Sequence, residues 1–332
     1  MTGSDIQVVV QGLGLLGRTA IGVCEDTPGV DLVAVVTRRP DEATGLPPGV
    51  AVLGDLREAA RDHPGAVVLS TVHALDGDLE RTLVDAVTVG LDVVTSSGAF
   101  HPPTQLADGG DALDALARQH SARVMASGVQ PGFVLDVLPA AVLDLAPGWT
   151  SVDVVKPSDA RSWPPSTRHM LGLGELPHVV ESAVPYPLAA SAHLIASAVG
   201  RCVVEISESR SARTARHDVV LPDETIPAGH SIGFAQECVA RLEGGRQVRI
   251  RWEPTVDVTE DTDLSLRLEA TGKADLTMTL DGSFRQDPYP ATAARMLHTA
   301  VRARDLPPGL HTAAAPGLQW PLSPAGGRAR RR

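Results

Sequence analysis

Three glycines near the N-terminus have the G-x-G-x-x-G spacing of a phosphate-binding turn. In that motif the first glycine allows a tight turn, the second lets the backbone approach a pyrophosphate, and the third lets helix and strand pack closely. The N–H groups at the start of the helix then face the anion. The spacing predicts a dinucleotide site, and a glycine-rich turn without a ligand is the alternative. The residues assigned to the site are Gly12, Leu13, Gly14, Leu15, Leu16, Gly17 and Arg18.

The end of the second predicted strand indicates which dinucleotide is bound. An acid at this place bonds a ribose hydroxyl, whereas an arginine accommodates the 2′-phosphate of NADP(H). This chain has Thr37, Arg38 and Arg39 there, and its next acid is Asp41. Guanidinium groups make charge-assisted hydrogen bonds to phosphates. We therefore favour NADP(H) over NAD(H), the alternative being arginines that are only solvated.

Small and hydroxyl-bearing residues follow three successive strands farther along the chain. Ligands of open α/β sheets bind beyond the carboxyl ends of the parallel strands, so these turns are candidates for contacts with a ring and a ribose. Serine, threonine and glycine are also common in turns that bind nothing. The further residues assigned to the cofactor are Ser70, Thr71, Val72, Ser96, Ser97, Gly98, Gln130 and Pro131.

Histidine is the usual side chain for proton transfer near neutral pH. His73, His101 and His169 each lie near a predicted strand end or loop start. We choose His101 as the catalytic histidine, because it follows the strand that normally delivers groups to a nicotinamide. Lys156 is the second candidate proton donor and solvent the third. For any single histidine, a surface or packing role is the alternative.

A charged segment follows the first strand of the second half of the chain and leads into Pro164 and Pro165. Prolines followed by hydroxyl residues are typical of a helix start, where side chains can cap and backbone amides face outwards. A carboxylate or another anion would be attracted there, although an ordinary helix cap with surface charges is an equal alternative. The residues assigned to substrate binding are Asp159, Arg161, Ser166, Thr167 and His169.

The elements that must position these residues change character along the chain. Over about the first 130 residues, apolar runs of strand length alternate with amphipathic helices, which predicts a doubly wound parallel sheet. The predicted strands are residues 7–11, 31–39, 66–72, 91–97 and 122–126. From residue 151, polar and apolar residues alternate within longer strands, as in an antiparallel sheet with one covered face.

We therefore expect an α/β protein with an N-terminal Rossmann domain and a second α+β domain that carries a mixed, mostly antiparallel sheet. The NADP-binding domain comprises residues 1–133, completed by residues 288–325. Residues 134–287 form the substrate-binding and dimerisation domain.

Composition limits the function classes. The chain has 332 residues, and a typical domain has about 100–200 residues, so we expect two domains. A net charge of −11 argues against nucleic acid or an anionic membrane as partner. The three cysteines lack metal-site spacing, so we expect neither a disulfide framework nor a metal site, and a cytoplasmic location. The partner expected is a small-molecule substrate.

Several motifs resemble those of one enzyme family. The glycine turn is similar to that of the dihydrodipicolinate reductase superfamily. Residues 127–136, Ser-Gly-Val-Gln-Pro-Gly-Phe-Val-Leu-Asp, resemble the G-x-N-P-G-F-x-x-D stretch of 2,4-diaminopentanoate dehydrogenases and native amine dehydrogenases. The loop of residues 158–174 and the segments 287–300 and 308–312 are similar as well. The resemblance implies hydride transfer between NAD(P)H and a C=N or amine carbon, and a homodimer.

Two departures bear on the chemistry that the resemblance implies. Gln130 stands where the family usually has asparagine. Amine-specific members usually carry a glutamate after the fifth strand, and residues 97–101, Ser-Gly-Ala-Phe-His, contain no acid. The expected reaction is therefore NADPH-dependent reduction of an imine or of a ketone or aldehyde carbonyl. A cofactor-binding sensor without turnover is the alternative of a different class.

Overall fold

The computed structural model describes residues 6–72, 78–183 and 186–315. The chain divides into two compact units. One comprises Met1–Phe133 and Tyr289–Arg332, and the other Val134–Pro288.

Fifteen strands occur within the described residues. They are β1 (Ile6–Gln11), β2 (Val30–Val36), β3 (Ala51–Leu53), β4 (Val67–Ser70), β5 (Asp92–Thr95), β6 (Arg123–Ala126), β7 (Ser151–Asp159), β8 (Val203–Thr214), β9 (Val219–Val220), β10 (Thr225–Ile226), β11 (Ser231–Leu242), β12 (Gln247–Thr255), β13 (Leu266–Thr271), β14 (Leu276–Leu280) and β15 (Gly309–His311).

Ten α-helices connect or cover these strands in the described part of the chain. They are α1 (Leu15–Glu25), α2 (Leu56–Asp62), α3 (Asp78–Thr88), α4 (Pro102–Gln105), α5 (Asp111–Gln119), α6 (Val137–Val142), α7 (Pro165–Met170), α8 (Pro177–Ser182), α9 (Leu188–Ala198) and α10 (Tyr289–Ala303). None of them combines the length and apolar composition of a bilayer-spanning segment.

The first unit is built on a parallel sheet of seven strands in the order β15-β6-β5-β4-β1-β2-β3. The central strands are buried on both faces, as their continuous apolar runs predicted, and β4 is buried at all four positions. Helices α1 and α10 contribute Ile21 and Met296 to the core beside β1. The predicted doubly wound parallel sheet is confirmed.

The seventh strand, β15, was not predicted from the sequence. Its three residues follow two prolines, and three residues are too few to show a period. In the structure Leu310 pairs with Val124 of β6, so a segment from the end of the chain extends the sheet.

The second unit contains a six-stranded sheet in the order β14-β13-β7-β12-β11-β8. Strands β7 and β12 are parallel, and every other neighbouring pair is antiparallel. The predicted mixed, mostly antiparallel sheet is therefore confirmed. Strand β11 was not predicted, because its buried side chains include Ser231, Gln236 and Cys238, which give a weak apolar alternation.

Candidate functional site

The carboxyl ends of five parallel strands in the first unit form one continuous edge. Each segment that leaves a strand is joined by a backbone hydrogen bond to the strand beside it. The N–H groups of Gly12, Thr71, Ser96 and Ser127 donate to the carbonyls of Val36, Gln11, Ser70 and Thr95, at 2.9, 2.9, 3.1 and 2.9 Å. The turns that the sequence assigned to the cofactor therefore lie side by side, as expected for a ligand edge in this class of sheet.

The three glycines of the turn have three different physical reasons to be glycine. Gly12 has φ +95°, a left-handed conformation that side chains disfavour. A Cβ on Gly17 would lie 2.0 Å from the carbonyl oxygen of Gly12, so only glycine lets helix and turn pack this closely. A Cβ on Gly14 would meet nothing within 4 Å. The backbone at Gly14 is thus open to an approaching group, which is the place of a pyrophosphate in this motif.

Two buried polar atoms next to this turn have no hydrogen-bond partner among the described residues. They are Gln11 Oε1, at the end of β1, and Ser70 Oγ, at the end of β4, and the two residues are paired in the sheet register. A buried polar atom without a hydrogen-bond partner lowers the stability of the fold by about 1–3 kcal/mol, so a bound ligand that supplies a partner to each atom would be favoured. Helix α1 begins at Leu15 without a side-chain cap and without an acid in its first turn. These residues fit a dinucleotide.

Two further residues of the assigned set brace the turn. Thr71 Oγ1 donates to the carbonyls of Gln11 and Gly12, at 2.9 and 3.2 Å, and so ties the end of β4 to the glycine turn. The guanidinium of Arg18 donates to the carbonyl of Thr44 at 2.9 Å. Arg18 thereby holds the loop after β2 against the first turn of α1.

Arg38 and Arg39 differ in their surroundings although both are exposed. Arg39 Nη1 lies 3.0 Å from Glu42 Oε1, so a carboxylate already accompanies it. Arg38 makes no side-chain hydrogen bond or ion pair within residues 6–72, 78–183 and 186–315. Of the two arginines, Arg38 is the one whose charge is available to a phosphate.

The segment after β5 has an unusual backbone. Gly98 has φ +59°, and a Cβ there would come 2.2 Å from Leu79 Cδ2. Ala99 has φ +54° and is fully buried. Thr95 Oγ1 accepts from the N–H of Ser97 at 3.1 Å, which fixes the hydroxyl-rich turn beside β4. The strained conformation at Ala99 is of a kind that clusters at functional sites.

His101 is buried at the start of α4, with 8% of its surface exposed. Its imidazole Nδ1 lies 3.0 Å from Thr104 Oγ1, and its backbone N–H donates to Gln105 Oε1 at 2.9 Å. These contacts hold the imidazole against the first turn of the helix. The catalytic role predicted for His101 stays a proposal, and His73 lies outside the described residues.

Lys156 is a buried cation of the second unit, with 2% of its surface exposed. Its Nζ donates to Ser158 Oγ at 2.8 Å and lies 5.8 Å from the centre of the Phe284 ring. Burial, assisted by the positive charge of Arg285, lowers the pKa of Lys156 to about 7. The amine therefore exchanges a proton near neutral pH, as a general acid or base must.

Aromatic side chains gather around Trp252, whose indole Nε1 donates to Ser158 Oγ at 3.0 Å. Its ring lies 4.4 Å from that of Tyr186, 5.4 Å from that of Phe234 and 6.1 Å from that of Trp163. Aromatic residues are 3% of the chain, so this concentration is local. The sequence did not reveal it, because the four rings come from four distant segments.

The residues assigned to the substrate are mostly engaged with one another. The Asp159 carboxylate lies 2.7 Å from Arg161 Nη2. His169 lies between two carboxylates, with Nδ1 3.1 Å from Glu175 Oε1 and Nε2 3.0 Å from Glu224 Oε2. Because carboxylates already contact the Arg161 guanidinium and the His169 imidazole, the loop is less attractive to an anion than the sequence indicated.

The expected hydroxyl cap of α7 was wrong. Pro164 is the N-cap residue and makes no side-chain cap, while Ser166 and Thr167 lie inside the first turn. Arg168 belongs to the charged segment that the sequence offered to an anion. Its guanidinium is fully buried and donates to Asp223 at 2.6 Å and Glu224 at 2.7 Å, which ties α7 to the turn between β9 and β10.

Two of the three cysteines, Cys24 and Cys238, are buried. Burial raises the pKa of the Cys24 and Cys238 thiols to about 12, so neither supplies a thiolate near neutral pH. No group of three or more His, Cys, Asp or Glu side chains there is arranged to hold a metal ion.

Comparison with known proteins places the fold among dehydrogenases. An amine dehydrogenase from Streptomyces virginiae is 30% identical over 196 residues, which cover 51% of this chain and 51% of that protein. The match thus spans about half the length of that curated relative. No protein-family model matches the chain.

Two solved structures are similar over almost the whole chain. The structure of an amine dehydrogenase from Mycobacterium smegmatis has a TM-score of 0.82 at 19% identity and covers 94% of this chain and 96% of that one. GenD2 from gentamicin A biosynthesis, in complex with NAD, has a TM-score of 0.62 at 16% identity, with 94% and 90% covered. The chain therefore has the fold of these dehydrogenases, and over about half its length its sequence is similar to that of an amine dehydrogenase.

Proposed function

We propose that the protein is an NAD(P)-dependent oxidoreductase that reduces a C=N or C=O carbon of a small molecule. The observation that carries the proposal is the glycine turn, where the backbone at Gly14 has no neighbour within 4 Å of a Cβ position. Beside the turn, two buried polar atoms, Gln11 Oε1 and Ser70 Oγ, have no hydrogen-bond partner among the described residues. When bound, the nicotinamide supplies the hydride. Resemblance to amine dehydrogenases favours an imine, formed from a ketone and ammonia, as the acceptor.

NADP(H) is the proposed cofactor. Arg38 is exposed and pairs with no carboxylate of the described residues. It follows β2, where the adenosine ribose of a dinucleotide lies in this class of sheet. The solved neighbour GenD2 contains NAD, so the preference comes from this chain's own residues.

Arg38→Glu is expected to weaken NADPH binding about 10- to 100-fold, since it removes a charge-assisted hydrogen bond and adds repulsion. The affinity for NADH, which lacks the 2′-phosphate, should fall by less than about threefold. Fluorescence titration with both cofactors measures the two affinities. Arg39→Glu is the matched control and should have a smaller effect, because Glu42 already accompanies that arginine. Equal losses for NADPH and NADH would contradict the assignment.

Lys156 is the proposed proton donor. The chain has 29 cationic Lys and Arg residues, and only Lys156 and Lys273 among them are lysines. Arginine cannot be deprotonated in proteins, whereas a buried lysine readily shifts its pKa. One of the two lysine amines of a chain that mostly uses arginine thus lies at a buried position beside Ser158 and Phe284.

His101 is the alternative donor, and one substitution separates the two. If Lys156 supplies the proton, His101→Asn should keep kcat within about fivefold of wild type, well short of the loss expected for a general acid. The unfolding temperature should fall, because the Thr104 contact is lost. Steady-state kinetics and thermal unfolding give both numbers, and Thr104→Val is the control for the lost contact. A kcat loss of about 100-fold confined to His101→Asn would reassign the donor.

A homodimer and a cytoplasmic location belong to the same proposal and derive from the sequence and the resemblance. Light scattering of the purified protein tests the dimer.

The function is tested by following NADPH absorbance with a panel of ketones, aldehydes and cyclic imines, each with and without ammonia. Oxidation with a ketone or aldehyde that depends on added ammonia supports reductive amination, and oxidation with them that needs no ammonia supports carbonyl reduction. Oxidation with a cyclic imine supports imine reduction and needs no ammonia. Tight NADPH binding with no oxidation across the panel would overturn the enzyme proposal in favour of a sensor.

A further inference from the structure

We propose that Ser158 is the positioning residue that fixes the Lys156 amine and sets its protonation state. The role of that amine in catalysis rests on the function proposed above, whereas the contact itself is a property of the fold.

The Ser158 hydroxyl is buried, with 1% of the residue exposed. Its oxygen accepts two hydrogen bonds, from Lys156 Nζ at 2.8 Å and from Trp252 Nε1 at 3.0 Å. A serine hydroxyl has two acceptor lone pairs, so these two donors use both. Lys156 and Trp252 are register partners in the β7–β12 pairing, and the backbone therefore delivers both donors to one oxygen.

Nothing else in the described part of the chain offers Lys156 Nζ a hydrogen bond or a carboxylate within ion-pair distance. Asp153 and Asp159, the two acids nearest in sequence, pair with Arg249 and Arg161 respectively. Arg285 is positive and pairs with Asp281. The surroundings of the amine are thus apolar or cationic apart from Ser158.

An acceptor favours the ammonium over the amine, because a hydrogen bond to a charged donor is stronger than one to a neutral donor. Ser158 therefore opposes the burial and Arg285, both of which lower the pKa of Lys156. Without this oxygen, the lysine would be neutral over a wider pH range and free to change rotamer. The hydroxyl holds the amine in one place and keeps it partly protonated near neutral pH.

Because the chain contains two lysines, the protonation state of Lys156 can be measured directly. Protein labelled with ¹³C only in lysine Cε gives two signals, from Lys156 and from the exposed Lys273, which serves as an internal reference and is assigned with Lys273→Arg. In Ser158→Ala, we expect the titration midpoint of the Lys156 signal to fall by about one pH unit. Ser158→Thr keeps the oxygen and should restore the midpoint. Ser151→Ala, on the same strand but at its exposed end, should leave the midpoint unchanged.

The readouts separate this inference from the proposed function. An unchanged Lys156 midpoint in folded Ser158→Ala would overturn the positioning role, whatever the activity. A midpoint that falls, together with an equal shift of the kcat pH profile, supports both. A midpoint that falls without any change in the kcat profile supports the positioning role and overturns Lys156 as proton donor. Thermal unfolding of each variant establishes that it is folded.

Discussion

Gly17→Ala is expected to destabilise the protein by about 2–3 kcal/mol and to reduce nicotinamide cofactor binding below detection. Alanine inside a helix normally stabilises by about 0.5–1 kcal/mol relative to glycine, so the sign is reversed here. The reason is steric: the new Cβ would lie 2.0 Å from the Gly12 carbonyl oxygen and 2.9 Å from Thr71 Oγ1. Relieving these contacts must move α1 away from the turn. Denaturant unfolding and NADPH titration measure both effects.

Gly14→Ala is the matched control for this experiment. Its Cβ meets nothing within 4 Å, so the free energy of unfolding should stay within about 0.5 kcal/mol of wild type. The added methyl group nevertheless stands where the pyrophosphate must approach the backbone, so NADPH affinity should still fall at least about tenfold. Gly17→Ala protein with normal stability and affinity, or Gly14→Ala protein with normal affinity, would contradict the assignment of this turn to the cofactor.

The glycine turn and the strand edge proposed for the cofactor were predictable because the sequence information that specifies them is local. The spacing of Gly12, Gly14 and Gly17, the apolar strands on either side and the arginines after β2 all lie within the first 40 residues. Parallel strands then bring their carboxyl ends to one edge without further information, which is why Ser70 and Ser96 are neighbours in the structure.

The second unit was less predictable because its contacts are long-range. Ser158 and Trp252 are 94 positions apart, and only the parallel register of β7 and β12 makes them neighbours. The sequence identified Lys156 as a candidate proton donor, yet it could not show the serine that holds it. Likewise Arg168 and His169 lie in the segment that the sequence offered to an anion. The structure shows that Glu224, more than fifty residues away, contacts both side chains.

Lys156→Met is expected to lower kcat about 10²- to 10⁴-fold while leaving NADPH affinity within about threefold, since methionine fills similar space but cannot carry a proton. In wild type, kcat should fall as the pH rises through about 7, because the donor must be protonated. The variant's residual rate should lack this step. Stopped-flow or steady-state kinetics across the pH range measure both, with Lys273→Met as the surface control.

The same variant should be more stable than wild type, by an amount that depends on pH. The pKa of Lys156 falls from its ordinary value of 10.5 to about 7 on folding. Between those two pH values the unfolded chain binds the extra proton, so wild-type stability rises with pH across this window. Below pH 7, Lys156 is protonated in both states, so folding buries the ammonium and the full desolvation cost lowers the stability of the wild type. Lys156→Met should therefore gain a few kcal/mol, roughly, near pH 6 and progressively less towards pH 10.

Lys156→Arg separates a titrating amine from a merely positive charge. A guanidinium keeps the charge at every accessible pH and cannot give up its proton, so kcat should fall as far as in Lys156→Met. Its stability should move the other way, because a permanent charge would be buried with Ser158 as its polar contact. Loss of rate in both variants with opposite changes in stability is the pattern that only a proton-exchanging, buried lysine produces. An arginine variant that keeps the wild-type rate would remove Lys156 from proton transfer and leave it the role of a fixed positive charge.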